Sequence, residues 1–322
     1  MEQLEDLHIL RIPMPDNPLG CTLVYLIAGP EGHTLIDTGW DWPNAYESLV
    51  DQMDQLGLDV KDVRQIVLTH MHPDHVGLAN QIRQVSGAKV IAHQDDTPTV
   101  RNREMRAHPP FATHGIPRQV SDNSRFTPDR HPRHNWPELD ELLGGGEVIR
   151  AGNLDLEVIW TPGHAAGHIC LYDRTNKVLF SGDHVLPVIT SHISLLWDSR
   201  PNRDPLGDYL TSLDKLKPLD VETVYPAHEY TFYDLQGRLA ELDHHHEQRL
   251  LEMTTAIDGN WATAFDVAKK IVWAIGSFDM LEDSMKLLAT GETLAHLEFL
   301  HLRGELTKKE NSGVVFYGGT GC

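Results

Sequence analysis

The chain has 322 residues, 40% of them hydrophobic and 23% charged, and carries a formal charge of −20, which fits an ordinary globular protein of one large domain or a large and a small one. No apolar run approaches the roughly 18 residues that a membrane span needs, and the acidic start Met1-Glu2-Gln3-Leu4-Glu5-Asp6 is unlike a secretory signal. So large a negative charge repels nucleic acid and anionic membranes, and Cys21, Cys170 and Cys322 form neither a ligand cluster nor a disulfide framework, so a cytoplasmic, soluble chain is expected.

Residues 8–13, 21–28 and 34–37 read as short strands separated by Pro, Gly and Asn turns. Residues 43–56 place Tyr46, Leu49, Val50, Met53 and Leu56 at helical spacing, and Gly57 ends the run. A buried strand at 66–68, a helix at 74–85 and a strand at 88–92 continue a βαβ rhythm. Residues 100–136 break it, with many Pro, His and Arg and no period; a loop this long inside a domain is commonly functional or disordered. Strands resume at 147–149, 154–160, 169–172 and 178–181. An irregular stretch at 186–204, a helix at 205–216 and a last core strand at 223–225 follow. From about residue 234 the pattern is helical, over 235–253, 262–273 and 284–303, and it ends in a short hairpin across 304–317. Two domains are expected, at 1–233 and 234–322.

The chemistry concentrates in Thr69-His70-Met71-His72-Pro73-Asp74-His75, directly after a buried strand. Neutral imidazoles and a carboxylate are zinc ligands, and several on one loop can converge on one or two ions. Three further donors each follow a strand-like run: His164 in Thr161-Pro162-Gly163-His164, Asp183 in Ser181-Gly182-Asp183, and His228 in Tyr225-Pro226-Ala227-His228. Strand ends are where α/β proteins gather ligands, so all of these are placed to share one edge.

Here the sequence resembles the metallo-β-lactamase superfamily. The HxHxDH signature is intact at His70–His75, and the PGH, GD and final-His elements stand at His164, Asp183 and His228. The resemblance covers roughly residues 7–230 and implies an α+β fold, an αββα sandwich with the metals at one edge. It assigns His70, His72 and His164 to one divalent metal ion and Asp74, His75 and His228 to a second, with Asp183 bridging. Zinc is expected, and iron or manganese would suit the same donors. Two such cations lower the pKa of a shared water, and the resulting hydroxide attacks a carbonyl or phosphoryl centre, with Asp74 as proton acceptor. The resemblance also implies that Asp37, in Leu35-Ile36-Asp37-Thr38-Gly39, orients a ligand histidine. His168 and His184 read as supporting groups, and Tyr225 and Tyr230 flank His228 with packing or oxyanion-donating roles open to them. No ligand position is Cys, unlike some antibiotic-degrading members, which points toward the thioesterase, lactonase and nuclease branches.

The C-terminal helices and hairpin resemble the winged-helix appendage of the subgroup that holds hydroxyacylglutathione hydrolase-like enzymes and a mitochondrial endoribonuclease. Its second long helix carries Glu282, Asp283, Glu292 and Glu298 against Lys286 and Arg303, a poor surface for phosphates. A packing or homodimer module is therefore expected. His244-His245-His246 reads as helix surface or interface. The insert at 100–136 holds Arg101, Arg103, Arg106, Arg118, Arg125, Arg130 and Arg133, a cationic island placed to act as a lid. Arg101, Arg103, Arg106 and Tyr230 are candidate contacts to an anionic small-molecule substrate, because the arginine fork suits phosphate and carboxylate. The expected function is dinuclear metal-dependent hydrolysis of a thioester of the acyl-CoA or acyl-glutathione type. An endoribonuclease, or a lactonase or xenobiotic hydrolase, is the alternative.

Overall fold

In a computed structural model of the chain, the described residues are 4–15, 17–98, 100, 111–124, 136–196, 203–274 and 276–319. They belong to two compact units, one of residues 1–101, 134–191 and 212–239, the other of residues 102–133, 192–211 and 240–322.

The first unit holds two sheets. β1 (Leu7–Pro13), β2 (Cys21–Ile27), β3 (His33–Ile36), β4 (Val63–Val67), β5 (Lys89–His93) and β6 (Glu141–Leu143) form one sheet in chain order, antiparallel from β1 to β3 and parallel from β3 to β6. The second sheet runs β11 (Thr223–Pro226), β10 (Val178–Gly182), β9 (Ile169–Asp173), β8 (Leu154–Trp160), β7 (Val148–Ala151), with only β10 and β11 parallel. The period of two along each strand decides what packs where. On β2, Leu23, Tyr25 and Ile27 join Leu156, Val158, Ile169, Leu171 and Phe180 in the layer between the sheets. Val24 and Leu26 face the other way, into a cluster with Ala45, Leu49 and Met53 of helix α1 (Ala45–Gln55). Both faces of this sheet are covered, so its strands read as near-continuous apolar runs.

The helix expected over 74–85 is two helices, α2 (Pro73–Val76) and α3 (Ala79–Ser86). The reason lies in who satisfies the backbone between them. The Asp74 carbonyl accepts from Thr22 Oγ1 at 2.9 Å, and the His75 carbonyl accepts from Thr38 N at 2.7 Å and Thr38 Oγ1 at 2.8 Å. The Leu78 amide donates to Thr38 Oγ1 at 3.2 Å. Groups that would have continued the helical ladder are taken by the neighbouring strand ends. Gly77 permits the close approach, since a Cβ there would lie 2.3 Å from the Asp41 amide nitrogen.

The second unit includes α4 (Arg118–Asn123), most of α6 (Leu235–Ile257), α7 (Ala264–Ala268), α8 (Asp283–Leu302) and the hairpin β14 (Leu306–Asn311)–β15 (Val314–Gly319). Between α4 and α6 in sequence lies α5 (Pro205–Leu216), whose last residues, from Ser212, belong to the first unit. There Ser212 Oγ donates to the Pro162 carbonyl and Lys215 Nζ to that of Trp160, tying α5 to the second sheet. The helix expected over 262–273 ends at Ala268. Trp273 Nε1 donates to the Ala268 carbonyl at 3.0 Å, and β12 (Val272–Trp273) turns back onto β13 (Gly276–Ser277). None of the described helices is long and apolar enough to cross a membrane.

Candidate metal centre

Five strand ends of the first unit meet at one edge. β4 runs into the loop of His70 and His72 and then α2, which carries Asp74 and His75; β8 ends before His164, β10 before Asp183, β11 before His228 and β3 before Asp37. The seven donors, up to 158 residues apart in sequence, come together in space. Three sets have donor atoms within 4.8 Å of one another: His70, His72 and His164; His70, His75 and Asp183; Asp74, His75 and His228.

The separations fit cation ligation. His70 Nε2 lies 2.9 Å from His72 Nδ1, and His164 Nε2 lies 3.1 Å from His70 Nε2 and 2.8 Å from His72 Nδ1. Two nitrogens at a zinc–nitrogen distance of about 2.0–2.1 Å, at the tetrahedral angle, sit about 3.3 Å apart. Asp183 stands between the groups. Its Oδ2 is 3.4 Å from His164 Nε2 and 3.6 Å from His75 Nε2, while Oδ1 is 3.3 Å from His228 Nε2. Asp74 Oδ2 lies 3.4 Å from His228 Nε2 and 3.7 Å from His75 Nε2. His75 Nε2, His228 Nε2 and Asp183 Oδ1 are buried without a hydrogen-bond partner, an arrangement that is costly unless a cation takes them.

The outward nitrogens explain which way the lone pairs point. His75 Nδ1 donates to Asp37 Oδ2 at 2.8 Å, and His228 Nδ1 donates to the Cys21 carbonyl at 3.1 Å. A carboxylate and a carbonyl only accept, so the proton sits on Nδ1 and each Nε2 presents a lone pair inward. Thr69 Oγ1 donates its one proton to Asp37 Oδ2 at 2.8 Å, which leaves it to accept from His70 Nδ1 at 3.1 Å. Asp37 Oδ1 also accepts from the Thr69 amide at 2.8 Å. Asp37 thus bears on two of the histidines, one directly and one through Thr69. His168 is fully buried; its Nε2 accepts from the Asp183 amide at 3.1 Å and its Nδ1 donates to Thr161 Oγ1 at 2.9 Å. Gly182 makes room for this ring, because a Cβ there, at φ +51°, would lie 2.6 Å from His168 Nε2.

Charge in the cluster is balanced by its neighbours. Burial, then His75, His72 and His164, holds His70 well below the ordinary imidazole range. Burial pulls His75 the same way but is outweighed by Asp183, Asp37 and Asp74, which raise it well above. Burial alone would raise the Asp183 carboxyl; His228, His75 and His164 overcome it and hold it well below. The carboxylates that stabilise a proton on His75 would stabilise a cation in its place.

The other sequence candidates are placed as follows. Tyr230 is 51% exposed, two residues beyond His228, while Tyr225 is buried and stacks on Phe180. His184 is buried, and burial pushes it down to about 3. Arg101, Arg103, Arg106, Arg125, Arg130 and Arg133 lie outside the described residues; Arg118 is exposed on α4 and pairs with Asp122 at 3.2 Å. His246 is not on the helix surface. It is buried in the second unit, with Nδ1 3.1 Å from His296 Nε2, because it falls on the face of α6 that packs inward. Thr69, Thr161, and Thr22 and Thr38 under the metal loop were not singled out by the sequence. A hydroxyl that bridges a ligand to a carboxylate leaves no spacing to detect. The Asp96 carboxylate, which accepts from the Met71 amide at 2.7 Å, is a further support of this kind.

A model of the metallo-beta-lactamase superfamily matches residues 19–228. The chain is 26% identical to a probable metallo-hydrolase, YqjP, of Bacillus subtilis, over 97% of this chain and 98% of that one. It is 30% identical to the acyl-coenzyme A thioesterase MBLAC2 of Bos taurus, over 65% of this chain and 73% of that one. The crystal structure of a metallo-beta-lactamase family protein from Thermus thermophilus superposes with a TM-score of 0.80 at 30% identity, covering 98% of this chain and 99% of that one. The matched span contains all seven clustered donors and every strand of the two sheets except β1, and the chain belongs to the metallo-beta-lactamase superfamily as a hydrolase of that fold.

Proposed function

We propose that the chain hydrolyses a thioester of the acyl-CoA or acyl-glutathione type, using two divalent cations, zinc by preference. His70, His72 and His164 would hold one, Asp74, His75 and His228 the other, with Asp183 between them. The convergence of three donor sets is the observation that carries the metal-dependent part. The 30% identity to a protein described as an acyl-coenzyme A thioesterase supports the thioester.

Bound cations would supply Lewis acidity toward the carbonyl and a water of lowered pKa. The protein's own part is placement and proton handling. Asp74 meets a burial that would raise its carboxyl, but His75 and His228 outweigh it and keep the group below the usual range, so it is an ionised acceptor for a proton at neutral pH. Asp37, Thr69 and the Cys21 carbonyl fix the ring orientations in advance. A thiol nucleophile from Cys170 is excluded, since burial pushes it up to about 12. The charge of −20 weighs against the endoribonuclease alternative, because a polyanion must approach against it.

The deciding experiment is a hydrolysis screen of acyl-CoA, acyl-glutathione, lactone and RNA substrates, with metal content measured on the same sample. Thioester turnover that chelation abolishes is expected. Turnover of lactone or RNA alone would replace the proposal.

A further inference from the structure

We infer that Val188 and Ile189 form an acyl-chain wall beside the metal centre, and that Glu229 and Arg238 hold that wall in place; this inference rests on the thioesterase reading above.

Both donors that bracket the wall belong to the cluster. Val188 and Ile189 lie five and six residues after Asp183, and Glu229 directly follows His228. Glu229 Oε2 accepts from the amides of Val188 at 3.0 Å and Ile189 at 3.2 Å. Arg238 donates from Nε to the Leu186 carbonyl at 2.7 Å, and from Nη2 to the carbonyls of Val188 at 2.9 Å and Ile189 at 2.8 Å. One carboxylate and one guanidinium therefore fix five backbone groups of a four-residue segment. A surface loop ordinarily leaves such groups to water. Glu229 adopts φ +69°, a left-handed conformation that a side chain other than glycine adopts at a cost. The outcome of this fixing is that two branched apolar side chains stand toward solvent, Val188 58% and Ile189 38% exposed.

Apolar side chains carried on a backbone fixed in this way, on the loop that follows Asp183 and bonded to the residue that follows His228, suit a hydrophobic occupant, since part of the ordering cost is already met before binding. The occupant we assign is the hydrocarbon part of the acyl group. A charged acyl substituent has no counter-ion on these loops, because the stretches 37–44, 69–78, 161–168, 183–191 and 227–234 contain no lysine or arginine. Glu229 and Arg238 are positioning residues: they touch the wall, not the reacting atoms.

The test uses two neutral series of even-numbered chains from acetyl to octanoyl: S-acyl N-acetylcysteamine thioesters and p-nitrophenyl esters. Full burial of a methylene corresponds to about a fourfold gain in kcat/KM, and contact on one side to about twofold. The full-length, metal-loaded enzyme should thus gain about 16-fold from acetyl to hexanoyl. The double variant Val188→Ser/Ile189→Ser should flatten that slope. Glu229→Ala should flatten it too, while Glu229→Gln, which keeps an acceptor oxygen for the two amides, should restore it. Metal content and a melting curve accompany each variant. A flat series in the unaltered enzyme overturns the wall without any variant having to fold, and so does a slope that survives in the double variant. If no thioester is hydrolysed, the thioesterase reading fails, and the slope of the ester series still decides the wall. If neither series is turned over, both fall.

Discussion

Under the two-cation proposal, Asp37→Asn exchanges one carboxylate oxygen for NH2 and should weaken one of the two sites. In the native chain the Asp37 carboxylate accepts three hydrogen bonds, from Thr69 N, Thr69 Oγ1 and His75 Nδ1, each at 2.8 Å. An asparagine that keeps its oxygen toward the Thr69 amide turns its NH2 toward His75 Nδ1 and the Thr69 hydroxyl, both donors. His75 can relieve the clash by moving its proton to Nε2, but that proton then occupies the inward lone pair. Loss of one charge-assisted hydrogen bond costs about 1.5–3 kcal/mol, and loss of a partner behind a ligand histidine typically lowers metal affinity 10–100-fold. The effect should fall on the group containing Asp74, His75 and His228, since His70 feels Asp37 only through Thr69. Chelator competition should therefore show one ion weakened by about 10–100-fold and the other changed far less. An Asn variant with a native melting curve and both affinities intact would refute the tautomer argument.

Other expectations follow from single features. Metal analysis of active enzyme should give two ions per chain, and Asp183→Ala should weaken both; one ion in fully active enzyme would overturn the dinuclear proposal. Gly182→Ala places a Cβ 2.6 Å from His168 Nε2 at φ +51° and should cost at least about 2 kcal/mol in a denaturant titration, with activity lost alongside. His246 is pushed down to about 3 by burial first and by His296 and His245 after it. A histidine whose folded pKa lies below its unfolded value of 6.5 contributes stability above that value, and loses it as pH falls toward 3. At pH 4 the deficit is about 3 kcal/mol. His246→Gln, which can still donate to His296, should lessen acid destabilisation between pH 7 and 4 by that order, and an unchanged acid transition would contradict it. Light scattering is expected to give a homodimer mass, since Val272 and Met280 stand 78% and 84% exposed on the second unit, and a monomer would remove that proposal.

The strands were legible because a short apolar run bounded by turn residues is a local signal, and the period of two then assigns its faces. Leu23, Tyr25 and Ile27 on one side and Val24 and Leu26 on the other can be read from seven residues of β2. The clustered donors were legible because each ends a strand, and a parallel pair such as β10–β11 delivers both ends to one edge. β6, three residues long, offered too little pattern. The break between α2 and α3 was invisible because the residues responsible, Thr22 and Thr38, lie some 40 to 50 positions away. His246 misled for a related reason: three adjacent histidines look polar as a block, yet a helix turns each to a different side, so that His244 is exposed, His245 half-buried and His246 buried.

His228 reaches the centre only near the far end of the first unit, and its bond to the Cys21 carbonyl spans 207 residues. Closing a loop of that length costs about 5 kcal/mol in chain entropy, which only the assembled sheets can offset. A chain growing from its N-terminus therefore acquires its donors in a fixed order. By residue 164 it holds His70, His72 and His164, the set proposed for one cation, while the set proposed for the other awaits residue 228. Under the dinuclear proposal, the two positions therefore differ in what they demand of the fold: the triple-histidine set is complete without β11, and the set of Asp74, His75 and His228 needs β11 to have joined β10 and carried the last imidazole into place.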